Sequence, residues 1–333
     1  MNTDQTMKTA LITGVTGQDG SYLTELLLSK GYLVVGTHRN LLVKKHDVDN
    51  IYLKNITHIF NNENFIVKYG NVLEPTSLWK LITKYKPDEI YNLAAQSHVN
   101  LSFKSSEITT ETNALGALSL LNIIIDVVPN TKFFQASSSD MYGYSTASLL
   151  NEDDVFKPNT PYGCGKLLTH HMVNIYRNVY NLHASCGICF NHESPRRSGN
   201  FATQKIVRGT ASIKLGLQDK LLLGNLDVKR DWGHARDYVE AMWLMLQQDK
   251  PDDYVIATGK SHSLRSFVEK MFKHAQLDIE KHVEIDQNLY RDYDTDTISG
   301  DSSKIKEKLG WESKTTFDEL AMEMYDSALE ELK

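Results

Sequence analysis

Tyr162 and Lys166 stand four residues apart in the run Pro161-Tyr162-Gly163-Cys164-Gly165-Lys166, downstream of a glycine loop, Gly14-Val-Thr16-Gly17-Gln18-Asp19-Gly20. Residues four apart share one face of a helix, so the Lys166 ammonium can sit beside the Tyr162 phenol, favour its phenolate and lower its pKa toward neutrality. A hydroxyl could then give its proton to Tyr162 while its carbon loses hydride to a nicotinamide. The loop reads as the dinucleotide cradle for that exchange. Glycines at this spacing also serve tight turns, so the pattern alone is weak; its context is what speaks. The loop follows an apolar run and opens a helical one, which turns backbone N–H groups and a helix N-terminus toward a pyrophosphate.

The elements that must position these residues alternate. Thr9–Thr13 is a short apolar run, 22–28 has helical spacing, and 33–36 is a second apolar run, which together predict a βαβ unit. Runs at 65–69, 89–93 and 132–136 extend the series, separated by helix-like stretches at 77–84 and 115–127. This predicts an α/β fold, a Rossmann-type doubly wound parallel sheet, with a smaller C-terminal α/β substrate-binding lobe. Beyond about Asn191 the regular alternation dissolves into loops rich in Arg, Gly and Asp, with helices expected at 238–247, 264–274 and 317–332. The expected division is residues 1–190 for the nucleotide domain, with a later segment near 225–260 returning to it, and 191–333 mainly for the interleaved lobe. At the end of the second run, Gly36-Thr37-His38-Arg39-Asn40, no carboxylate is present to take ribose hydroxyls. Arg39 could pair with a 2′-phosphate instead, which favours NADP over NAD.

Composition narrows the function classes. The 333 residues, 41% hydrophobic and 23% charged, suffice for one large domain and a smaller one. A net charge of −6 leaves no basic field for a phosphate backbone and argues against nucleic acid as partner. Three cysteines, Cys164, Cys186 and Cys189, are too few for a disulfide framework and point to a reducing compartment. Cys186 and Cys189 have CxxC spacing but lie in the strand-like run 183–190 with no second pair, so a buried strand and no metal are expected. The N-terminus lacks the apolar core of a signal peptide, and no run approaches the ~20 apolar residues of a membrane span. A cytoplasmic location without a membrane partner is the expectation.

Further segments carry a resemblance. The glycine loop, the Tyr162/Lys166 pair and Ala136-Ser-Ser138-Ser-Asp140 resemble the extended short-chain dehydrogenase/reductases that act on nucleotide sugars, over nearly the whole chain. Asn92-Leu93-Ala94-Ala95-Gln-Ser97-His98, Asn191-His192-Glu193-Ser-Pro-Arg196-Arg197 and the stretch from Gly224 through Arg230 to Tyr238 narrow it to the GDP-mannose 4,6-dehydratase family. Such a reaction sends hydride from C4 of the sugar to NADP⁺ while Tyr162 takes the 4-hydroxyl proton. The new ketone acidifies the C5 proton, Asp140 is placed to remove it, and water leaves from C6. Hydride then returns to C6, giving a 4-keto-6-deoxy sugar and a regenerated cofactor. Ser138 would hydrogen-bond the 4-oxygen.

The resemblance implies further contacts. Cofactor would be held by Gly14, Thr16, Gly17, Gln18, Asp19, Gly20, Arg39, Asn71, Val72, Leu93, Ala94, Ala95 and Ser97, with Tyr162, Lys166, His192 and Arg197 completing that set. A GDP-sugar would meet Ser97, Asn191, Glu193, Lys205, Arg230, Arg291 and Asp294, the arginines gripping diphosphate. Family members are dimers or tetramers, so a homodimer or homotetramer is expected, with Arg196 and Arg197 reaching a neighbouring cofactor site. The chain departs from the family at several places: Ser138 stands where it has threonine, Asp140 replaces a glutamate, Asn71 an aspartate, and Arg291-Asp-Tyr-Asp294 stands for Arg-Pro-Thr-Glu. Open alternatives are a related GDP-sugar or GDP-heptose dehydratase, an epimerase, a 4-reductase, or a non-catalytic NADP-binding sensor.

Overall fold

Apolar runs and amphipathic stretches alternate through the first two-thirds of the chain, and in the computed structural model they become strands and helices. Residues 7–40, 53–145, 147–290 and 297–333 are described. The first half runs β1 (Thr9–Thr13), α1 (Gln18–Ser29), β2 (Leu33–His38), β3 (Phe65–Tyr69), α2 (Pro75–Tyr85) and β4 (Glu89–Asn92). Then follow α3 (Val99–Lys104), α4 (Ser106–Thr110), α5 (Gly116–Val127), β5 (Lys132–Ser138), α6 (Pro161–Tyr180) and β6 (Ala184–Cys189). Shorter strands come next, β7 (His192–Glu193), β8 (Leu221–Leu223), β9 (Lys229–Asp231) and β10 (Gly233–His234), with α7 (Ala202–Lys214) after β7. The remainder is α8 (Ala235–Gln247), β11 (Tyr254–Ile256), β12 (Ser261–Ser263), α9 (Leu264–Ala275), α10 (Ile279–His282), β13 (Val283–Ile285), β14 (Thr297–Ile298), α11 (Ser303–Leu309) and α12 (Phe317–Leu332).

The principal sheet has seven strands in the order β11-β6-β5-β4-β1-β2-β3. Pairing is parallel from β3 through β5, with Leu11 opposite both Val35 and Ile90, and Ile90 opposite Phe133. Strand β4 is buried throughout and β1 nearly so, as strands covered by helices on both faces must be. The order reverses between β1 and β4, and the carboxyl ends of these two strands form the switch point where doubly wound sheets bind ligands. The expected Rossmann-type sheet is therefore present.

Two compact units divide the chain. The first comprises Met1–Met141, Pro158–Ile188 and Val239–Tyr254; the second Tyr142–Lys157, Cys189–Tyr238 and Val255–Lys333. The returning segment is thus narrower than the expected 225–260, and 142–157 leaves the first unit altogether. Hydrogen bonds explain that excursion: Leu150 N donates to Ser299 O, Asp301 N to Leu150 O, and Val255 N to Glu152 Oε1. The second unit has its own core, in which Trp232 stacks on Phe317 at 5.9 Å and both pack against Phe267. A three-stranded sheet, β12-β9-β14, belongs to it.

One expectation needs correcting. The helical stretch Ser106–Val127, 22 residues through α4 and α5, is long and apolar enough to cross a bilayer, although no such run was expected. Half of its apolar window is buried inside the protein, with Leu120, Leu121 and Ile124 in the core of the first unit.

Candidate active site

The cradle is built from close approaches at the carboxyl end of β1. Gly14 has φ +73°, and a Cβ there would lie 3.0 Å from Ala94 N. At Gly20 a Cβ would come within 2.4 Å of Gly14 O, so only glycine lets α1 start this near the strand. Gly17 caps α1 without any side-chain hydrogen bond. An uncapped helix start at a switch point fits the pyrophosphate of a dinucleotide. Thr16, Gln18 and Asp19 lie on the same turn, Gln18 donating to Asp19 Oδ1.

Other cofactor candidates gather at neighbouring strand ends. Arg39 is exposed just beyond β2. Asn71 follows β3, where its Oδ1 accepts from Leu73 N at 3.1 Å, and Val72 packs against Gly116. Leu93 through Ser97 leave β4 tied to Asn113: Gln96 N donates to Asn113 Oδ1 and Asn113 Nδ2 to Gln96 O.

Tyr162 and Lys166 come together on α6 as their spacing predicts, both buried, with Lys166 Nζ 5.7 Å from the Tyr162 ring centre. Pro161 opens the helix and the Thr160 side chain accepts from Gly163 N, so the cap fixes where Tyr162 starts. Lys166 Nζ donates to Ala136 O at 2.8 Å. Asp140 lies on the 3₁₀ turn Ser139–Met141 that follows β5. A Cβ on Gly163 would sit 2.6 Å from Asp140 O, so the bare glycine is what brings the first turn of α6 against the acid's backbone. Ser138 Oγ donates to Asp140 Oδ2 at 3.0 Å and accepts from Asp140 N at 3.2 Å. The serine thus holds the carboxylate as well as standing next to it.

Three residues that the sequence reading did not select connect the cradle to the lysine. Thr13 Oγ1 accepts from Leu93 N and Ala94 N and donates to Asn92 Oδ1. Asn92 Nδ2 donates to Gln135 Oε1, and Gln135 Nε2 to Ala136 O, the carbonyl that Lys166 also uses. Buried polar residues on three apolar strands were the available signal, because a buried amide must be paired.

The second unit places its candidates on short elements. His192 Nδ1 lies 2.8 Å from Phe190 O, so that nitrogen carries the proton, and its ring stacks on Tyr238 at 4.5 Å. Asn191 O accepts from Gly233 N. Glu193 is buried, its Oε2 taking the Thr203 hydroxyl at 2.8 Å and lying 3.1 Å from Arg197 Nε. Arg197 also stacks over Phe201 at 3.5 Å. Both side chains are therefore engaged within their own loop; Arg197 was expected at cofactor and Glu193 at the GDP-sugar. Lys205 is exposed on α7, and Arg230 on β9 donates to Lys229 O. Next to it, Asp231 accepts from Thr258 N, Thr258 Oγ1, Gly259 N and Gly300 N; burial raises its pKa against the pull of these bonds. Arg291 and Asp294 lie outside the described residues. Cys186 and Cys189 are buried on β6, and no disulfide joins the described cysteines.

Comparison with known proteins gives the same picture at family level. Residues 11–324 match the family model described as GDP-mannose 4,6 dehydratase. A curated relative, GDP-mannose 4,6 dehydratase 1 of Arabidopsis thaliana, is 47% identical across 97% of this chain and 90% of its own. GDP-mannose 4,6 dehydratase of Homo sapiens is 46% identical across 96% and 91%. In shape the chain is similar to dTDP-glucose 4,6-dehydratase from Streptomyces venezuelae, solved with NAD bound: the TM-score is 0.85 at 21% identity, covering 97% of each chain.

Proposed function

The chain belongs to the GDP-mannose 4,6-dehydratase family, and we propose that it removes water from GDP-mannose to give GDP-4-keto-6-deoxymannose. The observation that carries this reading is the meeting of an acid with a redox pair, Asp140 held against the first turn of the helix that bears Tyr162 and Lys166. A simple alcohol oxidation needs only the tyrosine and the lysine; the elimination needs the carboxylate as well.

A bound nicotinamide supplies the hydride acceptor at C4 and the hydride donor at C6. Tyr162 takes the 4-hydroxyl proton in the first step; because C4 stays a ketone in the product, that proton is released and balances the one carried off by the water that leaves C6. Lys166, tied to Ala136 O, presents a fixed positive charge to that side of the tyrosine. Asp140 removes the C5 proton, which the adjacent ketone has made acidic, and can hand it back after C6 is reduced. Ser138 steadies the carboxylate and is proposed to turn its single hydroxyl proton to the 4-oxygen once the sugar binds. NADP is the proposed cofactor, supported by the exposed Arg39 and by the lack of a carboxylate in 36–40. Arg230, Lys205 and Asn191 are proposed to hold the nucleotide sugar, together with Arg291 and Asp294.

We further propose a homo-oligomer in the cytoplasm with no nucleic-acid or membrane partner. Leu168, Ile175, Val179 and Tyr180 leave an exposed apolar row on α6, which a second copy of the same helix can cover. The small number of cysteines and a net charge of −6 support the remainder. Incubation with GDP-mannose tests the reaction: the product should be lighter by one water, with no net consumption of cofactor. Product of unchanged mass, or product formed only with stoichiometric cofactor, would remove the dehydratase reading; sedimentation of a lone monomer would remove the oligomer.

A further inference from the structure

Helix α6 continues its inward polar row one turn past the redox pair. His170 follows Lys166 by four residues, and Asn174 and Arg177 extend the row. His170 Nδ1 lies 3.1 Å from Ser137 Oγ, and its Nε2 lies 3.8 Å from Asp253 Oδ2. Asp253, just before β11, also receives Asn174 Nδ2 at 3.1 Å, Cys186 N at 2.8 Å and the Arg177 guanidinium on both oxygens. With Nε2 facing a carboxylate, the neutral ring carries its proton on that nitrogen, and Nδ1 accepts from the Ser137 hydroxyl.

The cluster is an anchor and not a cation site. Atoms of His170, Cys186 and Asp253 do come within 4.8 Å of one another. Yet Arg177 already neutralises Asp253, and burial keeps the Cys186 thiol well above its ordinary pKa, so a metal would find a spent carboxylate and no thiolate.

What the anchor grips is the end of β5. Lys166 is bonded to Ala136 O, His170 to Ser137, and Gly163 lies on Asp140, so three turns of α6 all meet the segment 136–140 that carries Ser138 and Asp140. We infer that His170 is a positioning residue for the reaction: its bond to Ser137, braced by Asp253 and Arg177, sets the register of α6 along β5 and hence the aim of Tyr162 and Lys166. The inference rests on Tyr162 serving C4 oxidation. A slip of that register moves the proton acceptor relative to C4 and slows hydride loss, while the nucleotide end of the substrate is bound as before.

Three variants of the full chain test this, read by kcat, by KM for GDP-mannose and by the isotope effect on kcat with substrate deuterated at C4. His170→Phe and Ser137→Ala each remove the bond from one side. Both should lower kcat about tenfold, raise the isotope effect and leave KM within about twofold. His170→Asn puts an oxygen close to where Nδ1 sits and should keep kcat within about threefold of the parent. If His170→Phe does not fold, Ser137→Ala carries the test, since it deletes only a hydroxyl. Parent values of kcat and isotope effect in the variants that fold would overturn the inference, as would a lower kcat with an unchanged isotope effect. Tyr162→Phe is the control: if it turns over at the parent rate, the reading of Tyr162 fails and the inference with it, whereas an inactive Tyr162→Phe beside unaltered His170 and Ser137 variants sinks the inference alone.

Discussion

Gly163→Ala should separate positioning from stability at the candidate site. A methyl at 163 would sit 2.6 Å from Asp140 O, where ordinary contact begins near 3.4 Å, so something must yield by about 0.8 Å. The obstructing atom is a backbone carbonyl and cannot swing aside as a side chain would; Pro158 Cβ, at 3.2 Å, closes off another direction. Either the 3₁₀ turn bearing Asp140 or the first turn of α6 bearing Tyr162 must therefore shift. Alanine favours the helix by ~1 kcal/mol over glycine, while overpacking costs ~1–3 kcal/mol, so the net loss of stability should be small. A displacement approaching 1 Å between reacting groups can cost about a hundredfold in rate, and a fall in kcat of roughly ten- to a hundredfold is expected. Gly165→Ala is the internal comparison: its methyl would meet Asn113 Cβ at 3.4 Å, an ordinary contact. It should keep kcat within about twofold and gain ~0.5–1 kcal/mol of stability. Product formation followed by mass spectrometry, with thermal melting of each variant, decides the matter. Parent kcat in Gly163→Ala, or equal damage from both substitutions, would refute the reasoning.

Asp140→Asn should still pass hydride from C4, because that step needs only Tyr162, and should stall before water leaves; the absorbance of reduced nicotinamide should build up on the enzyme, whereas Tyr162→Phe should show none. Dehydration at the parent rate by Asp140→Asn would exclude Asp140 as the base. Asp140→Glu should lower activity, since Ser138 holds a carboxylate that is one methylene shorter. Arg39→Ala should weaken NADP more than NAD by roughly 1.5–3 kcal/mol, measured by calorimetric titration, and equal weakening would return Arg39 to a surface role. Burial lowers the pKa of His170, His38 and His183 below the ordinary 6.5, so the unfolded chain takes up protons first as pH falls. Their contribution is whole above about 6.5 and is lost progressively below it. At Asp253 burial acts upward, but the Arg177 bond and charge outweigh it and hold the carboxyl below 3.8, so its contribution disappears only under that value. Denaturant midpoints should therefore decline in two stages on acidification; a flat profile between pH 7 and 5 would contradict the first.

Much of the first unit was legible because its signals are local. Strands such as β1 and β4 are apolar runs, α6 begins with a Thr160-Pro161 cap, and the four-residue spacing of Tyr162 and Lys166 already places both on one helical face. Glycines at 14, 17 and 20 announce a turn that opens a helix. The second unit was less legible: β7, β9, β10, β12 and β14 have two or three residues each, too few to show a period of two. Its inclusion of 142–157 depends on Leu150 meeting Ser299 and Asp301, residues about 150 positions away.

The sequence by itself determined the chemistry available, a tyrosine and lysine on one helix, a carboxylate after a serine run, and a glycine cradle. It also determined the family. Only the tertiary structure decided how these are held. That Gly163 rather than any other residue admits Asp140, and that Thr13, Asn92 and Gln135 pass hydrogen bonds from the cradle to the carbonyl under Lys166, both depend on which segments meet. Pairings between residues 43 to 80 positions apart leave no periodic trace in the chain, because they follow from strand order and from the need to pair every buried polar group, and both exist only once the sheet has formed.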